Sequence, residues 1–88
     1  MRVKEKLITS LRVERDPGPP LIIQYYLLEE IVGRRKAYGI KIVEKTAQAC
    51  AVAPGITPNK RHASKLIVRL AKGSVTPTGL ADVLADLL

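Results

Sequence analysis

Apolar and polar residues alternate along the first half of the chain and then recur every three to four residues in its last third, so strands come first and helices last. In residues 6–15, KLITSLRVER, the side chains Leu7, Thr9, Leu11 and Val13 fall on one side of an extended backbone. Ile8, Ser10, Arg12 and Glu14 fall on the other, and the pattern predicts a half-buried strand. Asp16-Pro17-Gly18-Pro19-Pro20 cannot continue it, because proline fixes φ and removes donors while glycine permits reversal. A hairpin loop is expected there. The next strand, 21–29, opens with LIIQYYLL, apolar on both sides apart from Gln24, which predicts a central strand covered on each face. Glu29-Glu30 and Arg34-Arg35-Lys36 flank a turn at Gly33, where opposite charges on two hairpin arms would face each other and modestly favour that register. In the strand 36–45, Tyr38, Ile40 and Ile42 point inward, and Lys41, Val43 and Lys45 outward. Gly39 within it marks a bulge or the close approach of another backbone. Residues 46–52 read as a short edge strand ended by Pro54-Gly55, with Ala47, Ala49 and Ala51 lending it little β-propensity.

The same dipeptide announces two helices, 58–72 and 77–88. Thr57-Pro58 and Thr76-Pro77 each offer a capping hydroxyl and a proline preset for the first helical position. Ala63, Leu66, Ile67, Leu70 and Ala71 then repeat at helical spacing, as do Leu80, Val83, Leu84, Leu87 and Leu88. Gly73 stands where a helix C-terminal glycine belongs. Strands followed by helices predict an α+β fold: a three- or four-stranded antiparallel meander sheet with two C-terminal amphipathic helices packed on one face, all within one domain, 1–88. Neither a Rossmann fingerprint nor a phosphate-binding loop is present.

Composition narrows the picture. With no Phe or Trp and only Tyr25, Tyr26 and Tyr38 as aromatics, the core is aliphatic and the tyrosines are expected inside it. The chain carries 15 Lys and Arg against 8 Asp and Glu, a formal +7. That surplus suits an anionic partner such as nucleic acid, an acidic protein or a membrane surface, or serves solubility alone. Cys50 is single, which excludes an intramolecular disulfide and a cysteine zinc site. No signal-like or membrane-spanning apolar run occurs, so a cytoplasmic protein without membrane partners is expected.

Candidate chemistry is sparse. His62 is the only histidine and sits on the border of the helical apolar face, where a hydrogen-bonded boundary role is expected. Cys50 reads as a small apolar filler, and Asp82 and Asp86, one helical turn apart, make a weak ligand pair at best. No catalytic residue, metal, cofactor or small-molecule substrate is indicated, and the chain is not expected to be an enzyme. The one pronounced pattern is Arg61, Lys65, Arg69 and Lys72 along the first helix. Like charges at this spacing repel, and Lys60 and Arg61 oppose the helix dipole, so an anion against that face would explain them. Ordinary solvation, or neutralisation by Asp82 and Asp86, would explain them equally. A helix-turn-helix reading fails, because the second helix is acidic, and an RNA-stacking sheet lacks exposed aromatics.

The segments KEKLITSLRVER, YYLLEE, YGIKI and RLAKGSVTPTGLADVLADLL together resemble a family of small uncharacterised proteins from clostridia-type Gram-positive bacteria, with Tyr38-Gly39-Ile40 and Val75-Thr76-Pro77…Leu80 as the most telling pieces. The resemblance implies the order of elements and no activity. The residues thus point to a small binding or adaptor domain, a protein-interaction module able to self-associate as a homodimer. The alternative is a weak, sequence-nonspecific nucleic-acid-binding accessory protein using Arg61, Lys65, Arg69 and Lys72, joined by Arg34, Arg35 and Lys36. An exposed apolar sheet face would favour the former, and a continuous basic surface the latter.

Overall fold

A computed structural model describes residues 2–87. Four strands come first: β1 (Arg2–Val13), β2 (Leu21–Val32), β3 (Arg35–Glu44) and β4 (Ala49–Thr57). They pair antiparallel in the order β1-β2-β3-β4, so the doubly apolar run of β2 is indeed interior to the sheet. Helix α1 (Lys60–Lys72) follows, and a 3₁₀ turn at Pro77–Gly79 leads into α2 (Leu80–Leu87). The α+β class and the four-stranded antiparallel sheet match the expectation.

Alternation sorts the sheet residues into two sets. Ile23, Tyr25 and Leu27 of β2 and Tyr38, Ile40 and Ile42 of β3 belong to one buried cluster with Ala63, Leu66, Ile67 and Leu70 of α1 and with Leu80 and Leu84 of α2. Each such side chain taken fully from water contributes about 1.5–3 kcal/mol, which makes this cluster the main source of stability. Tyr25 also ties the sheet to the interhelical link, its hydroxyl donating to the Val75 carbonyl at 2.8 Å. Burial of that phenol pushes its pKa up to about 12.

Several local expectations are corrected. β1 begins at Arg2 and ends at Val13, not at 6–15, and its pairing slips between Leu7 and Thr9. The slip is a bulge at Ile8, which resets the alternation. Ile8 therefore packs against the core with Leu11 and Val13, while Leu7 is turned to the opposite face. β4 runs from Ala49 to Thr57 instead of 46–52, because residues 45–48 form a turn in which Gln48 takes a positive φ. The nearly buried Glu44 holds that turn, accepting hydrogen bonds from the amides of Thr46 at 3.1 Å and Ala47 at 3.0 Å.

Pro54-Gly55 does not end β4. Ala53 pairs with Ile40 and Thr57 with Tyr38, so Pro54, Gly55 and Ile56 arch past the single residue Gly39. On an edge strand the missing proline donor is tolerated. A side chain at Gly39 would meet the Ala53 carbonyl oxygen and Pro54 Cα, the latter at 2.8 Å, so the close backbone approach expected at this glycine is real.

The helix ends also differ. α1 is capped by Asn59, whose Oδ1 accepts from His62 N at 3.1 Å, and not by Thr57. Thr57 instead closes β4 and accepts from the Asn59 amide at 3.2 Å. Thr76 precedes the 3₁₀ turn without a side-chain capping bond, and α2 begins at Leu80 and not at 77, while the expected helix end at Leu88 lies outside the described residues. At the C-terminus of α1 the left-handed residue is Ser74, with φ 51°, and not Gly73. Val75 N bonds to Leu70 O and Ser74 N to Ala71 O, both at 3.0 Å, the paired bonds of a Schellman motif.

Candidate functional site

Two surfaces carry the features that the fold leaves unexplained. The first is the face of the sheet opposite the buried cluster. Cross-strand partners place Val3, Glu5, Leu7, Ser10 and Arg12 of β1 there, beside Ile22, Gln24, Tyr26, Leu28, Glu30 and Val32 of β2. β3 adds Arg35, Ala37, Gly39, Lys41 and Val43, and β4 adds Cys50 and Val52. Five large apolar side chains of the described residues are 47–55% exposed, and four of them, Val3, Leu7, Val32 and Val52, are on this face. Leu28 is covered, beside the β4 arch that leans over Gly39, while Ile22, Tyr26 and Val43 remain half-buried. Cover on both faces of β2, expected from its sequence, is therefore full on the buried-cluster face and only partial on this one.

At the middle of this face Lys41 reaches across β2 to Glu5, 3.0 Å away, and stands 5.7 Å from the centre of the Tyr26 ring. The hydrogen-bonded Glu5 carboxylate raises the Lys41 pKa above the ordinary lysine value. Tyr26 donates to Gln24 Oε1 at 3.1 Å, so of the three tyrosines expected inside, Tyr25 and Tyr38 are buried and Tyr26 belongs to this outer face. Cys50 is exposed here too, not the packed filler its neighbours suggested.

The second surface is α1. Arg61, Lys65, Arg69 and Lys72 are all exposed. At about 100° per residue, Arg61, Lys65 and Lys72 lie within about 40° of one another and roughly opposite the buried Ala63, Leu66, Ile67 and Leu70. The ion pairs among described residues are Arg12–Glu14, Lys36–Glu29 and Lys41–Glu5, so none neutralises this row and neither Asp82 nor Asp86 pairs with it. Between Arg61 and Arg69 a concavity of about 520 Å³ is bounded by α1 alone, a space between side chains and not a cleft between elements. His62 is exposed, its Nδ1 3.4 Å from Thr57 Oγ1, which agrees with a boundary role.

Arg34, Arg35 and Lys36 do not form one surface with one another. Arg34 is in the turn, Arg35 pairs with Val32 on the uncovered face, and Lys36 projects to the other face, 3.6 Å from Glu29. Consecutive residues of a strand cannot share one surface. Sequence reading missed Val3, Leu7, Val32 and Val52 as a set, although the two-sided apolarity of 21–28 signalled that one face would need a cover. It also missed Val68, a 47% exposed apolar side chain amid the cations.

Among the described residues no three His, Cys, Asp or Glu gather as a metal site, and no helix is long and apolar enough to cross a membrane. The family model of a family of unknown function (DUF6514) matches residues 4–88. No curated protein and no solved structure matches the chain.

Proposed function

The chain belongs to that family of unknown function, and we propose from its geometry that it is a small protein-interaction module which self-associates through the uncovered face of its sheet. The observation that carries this reading is the gathering of Val3, Leu7, Val32 and Val52 on the face that no helix residue of the buried cluster shares. Exposed apolar side chains concentrated on one face, here around the Lys41–Glu5 pair, are the kind of surface that marks interaction sites.

Two quantities support a second copy as the occupant. The accessible surface is 5821 Å², whereas a monomer of 9.6 kDa is expected to expose about 5,100 Å². The excess, roughly 700 Å², approaches what one partner contributes to a standard interface, about 800 Å². Charge points the same way. The chain bears +7, yet this face sets Glu5 and Glu30 against Arg12, Arg35 and Lys41, and Arg12 is itself paired with Glu14 at 2.7 Å. Two copies can meet here without bringing their positive surplus together.

The nucleic-acid reading is supported by the unpaired cations of α1. It is weakened by Val68 in their midst and by the divergence of Arg34, Arg35 and Lys36. Sedimentation equilibrium of the wild type and of a Leu7→Lys, Val52→Lys double variant tests the proposal. Re-covering two half-exposed side chains contributes about 2 kcal/mol, so the variant's dissociation constant should rise at least about thirtyfold, with its circular dichroism unchanged. A wild type that stays monomeric at about 100 μM, beyond the range of a specific micromolar dimer, would refute it.

A further inference from the structure

Val68 gives the basic helix a second character. Its neighbours on the helix surface, three and four residues away, are Ser64, Lys65, Ala71 and Lys72: two small side chains and two cations. Of the small pair, Ala71 lies toward β1. There Val68, Ala71 and Lys72 of α1 and Ile8, Thr9 and Leu11 of β1 enclose a groove of about 340 Å³. Its floor is apolar, and Ile8 and Leu11 are only partly covered by the core they adjoin. The bulge in β1 turns Ile8 to this side.

One cation, Lys72, lines the groove, and two more stand on the elements that form it. Lys65 and Lys72 stand on α1, and Lys6, exposed and paired across to Leu27, stands on the same face of β1 just before the bulge. None of the three takes part in an ion pair among the described residues. Along α1 the groove runs from Val68 to Lys72, about one helical turn or roughly 6 Å, and along β1 it runs from Ile8 to Leu11.

We infer that this groove docks an acidic amphipathic helix of a protein partner. An apolar stripe at i, i+3, i+4, i+7 fills the floor between Val68, Ala71, Ile8 and Leu11, and flanking carboxylates meet Lys6, Lys65 and Lys72. The small Ala71 lets a second backbone approach α1 closely. A nucleic acid would use the cations and leave the apolar floor wet, so charge complementarity and floor together favour the peptide. The site is independent of the sheet face proposed for self-association, and the Leu7→Lys, Val52→Lys variant retains it.

The test is fluorescence anisotropy with three labelled probes: a helical Leu/Glu peptide of about 18 residues with leucines at that spacing, a scramble of the same composition, and a DNA duplex of similar charge. The expected result is at least about tenfold tighter binding of the amphipathic peptide than of the scramble. Val68→Lys is the discriminating variant, since it removes floor while adding a positive charge. It should weaken the amphipathic peptide about tenfold or more and leave duplex binding equal or stronger. Amide chemical shifts of the wild type should move at residues 64–72 and 6–11 on addition of the peptide, a readout that needs no substitution. Equal binding of peptide and scramble, tighter binding of the duplex, strengthened peptide binding by Val68→Lys, or shift changes confined elsewhere would each overturn the inference.

Discussion

Replacing Gly39 by alanine should destabilise the protein more than any other single-methyl change in the sheet. The added Cβ projects toward the β4 arch, where it would meet the Ala53 carbonyl oxygen, Pro54 Cα at 2.8 Å and Gly55 N at 3.1 Å. All three are backbone atoms. Pro54 has a fixed φ and Gly55 already holds a positive one, so the arch cannot yield by rotating a side chain. The strand must move away from β3, and the Ile40–Ala53 and Tyr38–Thr57 pairings on either side move with it. Overpacking of this kind costs about 1–3 kcal/mol. For a domain this small each kcal/mol lowers Tm by about 4–8 °C, so a fall of roughly 5–20 °C is expected in thermal unfolding. Hydrogen exchange adds a spatial readout: amides of β4 and of the first turn of α1, which Thr57 and Asn59 anchor, should lose protection first. Gly73→Ala is the control. Its Cβ would find nothing nearer than 3.6 Å and its φ is −87°, so stability should stay level or rise slightly. A Gly39→Ala protein melting within about 2 °C of the wild type would refute the reasoning, because so small a change leaves no room for a displaced strand.

Two further outcomes follow from single side chains. The Tyr25 phenol ionises near pH 10 in the unfolded chain but is pushed up to about 12 by burial, so the folded state keeps its proton longer. Stability is therefore unaffected by this group below about pH 9 and falls as pH rises from about 10 to about 12. Tyr25→Phe loses the hydrogen bond to Val75 and about 1 kcal/mol at neutral pH, but it escapes that alkaline decline. Urea midpoints of the two proteins should converge above pH 10, and parallel curves would sink the idea. Ser74→Gly removes the cost of a left-handed L-residue at φ 51° and should raise stability by about 1 kcal/mol in the same assay. A lower midpoint would mean that the Ser74 side chain supports the helix end in another way.

The order of elements was legible because period two and period 3.6 are properties of the chain itself. Tyr38, Ile40 and Ile42 alternate against Lys41 and Val43, and Ala63, Leu66, Ile67 and Leu70 recur as a stripe. Local geometry was less legible where two rules competed. In β1, Leu7 and Ile8 are equally apolar, and only the pairing with Tyr26 and Tyr25 shows which one the bulge turns outward. Thr57 and Asn59 are both good caps, and the helix begins after the second because β3 claims the first as a strand partner. Pro54-Gly55 looked like a terminus because its tertiary counterpart, the bare backbone of Gly39, is distant in sequence. Of the candidate site, the row on α1 was readable from spacing alone. The divergence of Arg34, Arg35 and Lys36 from one another was not, since that depends on which way each residue of a hairpin points.

The uneven placing of charge and exposed apolar surface on the two sides of the sheet follows from strand alternation. The described residues of α1 and α2 in the buried cluster pack with the Ile23, Tyr25 and Leu27 side of the sheet, and none of them is in that cluster from the other side. Strands nevertheless alternate, so β2 must send Ile22, Tyr26 and Leu28 to that other face whatever covers Ile23, Tyr25 and Leu27. The cations meanwhile collect where the helices are, because α1 alone carries five of them, and Lys4, Lys6 and Lys36 project to the helix side of the sheet. Contact between two helix sides would press these positive charges together, whereas contact between two sheet faces keeps them apart. Like-charge repulsion therefore selects among possible self-contacts in favour of the face that hydrophobic burial also favours. In such a pair both copies of α1 point outward, each presenting Val68 and its flanking lysines to whatever acidic partner the groove receives. Raising salt should then tighten the self-association slightly, by screening the residual repulsion, while weakening the acidic peptide. Opposite salt responses from one protein would separate the two surfaces without any substitution.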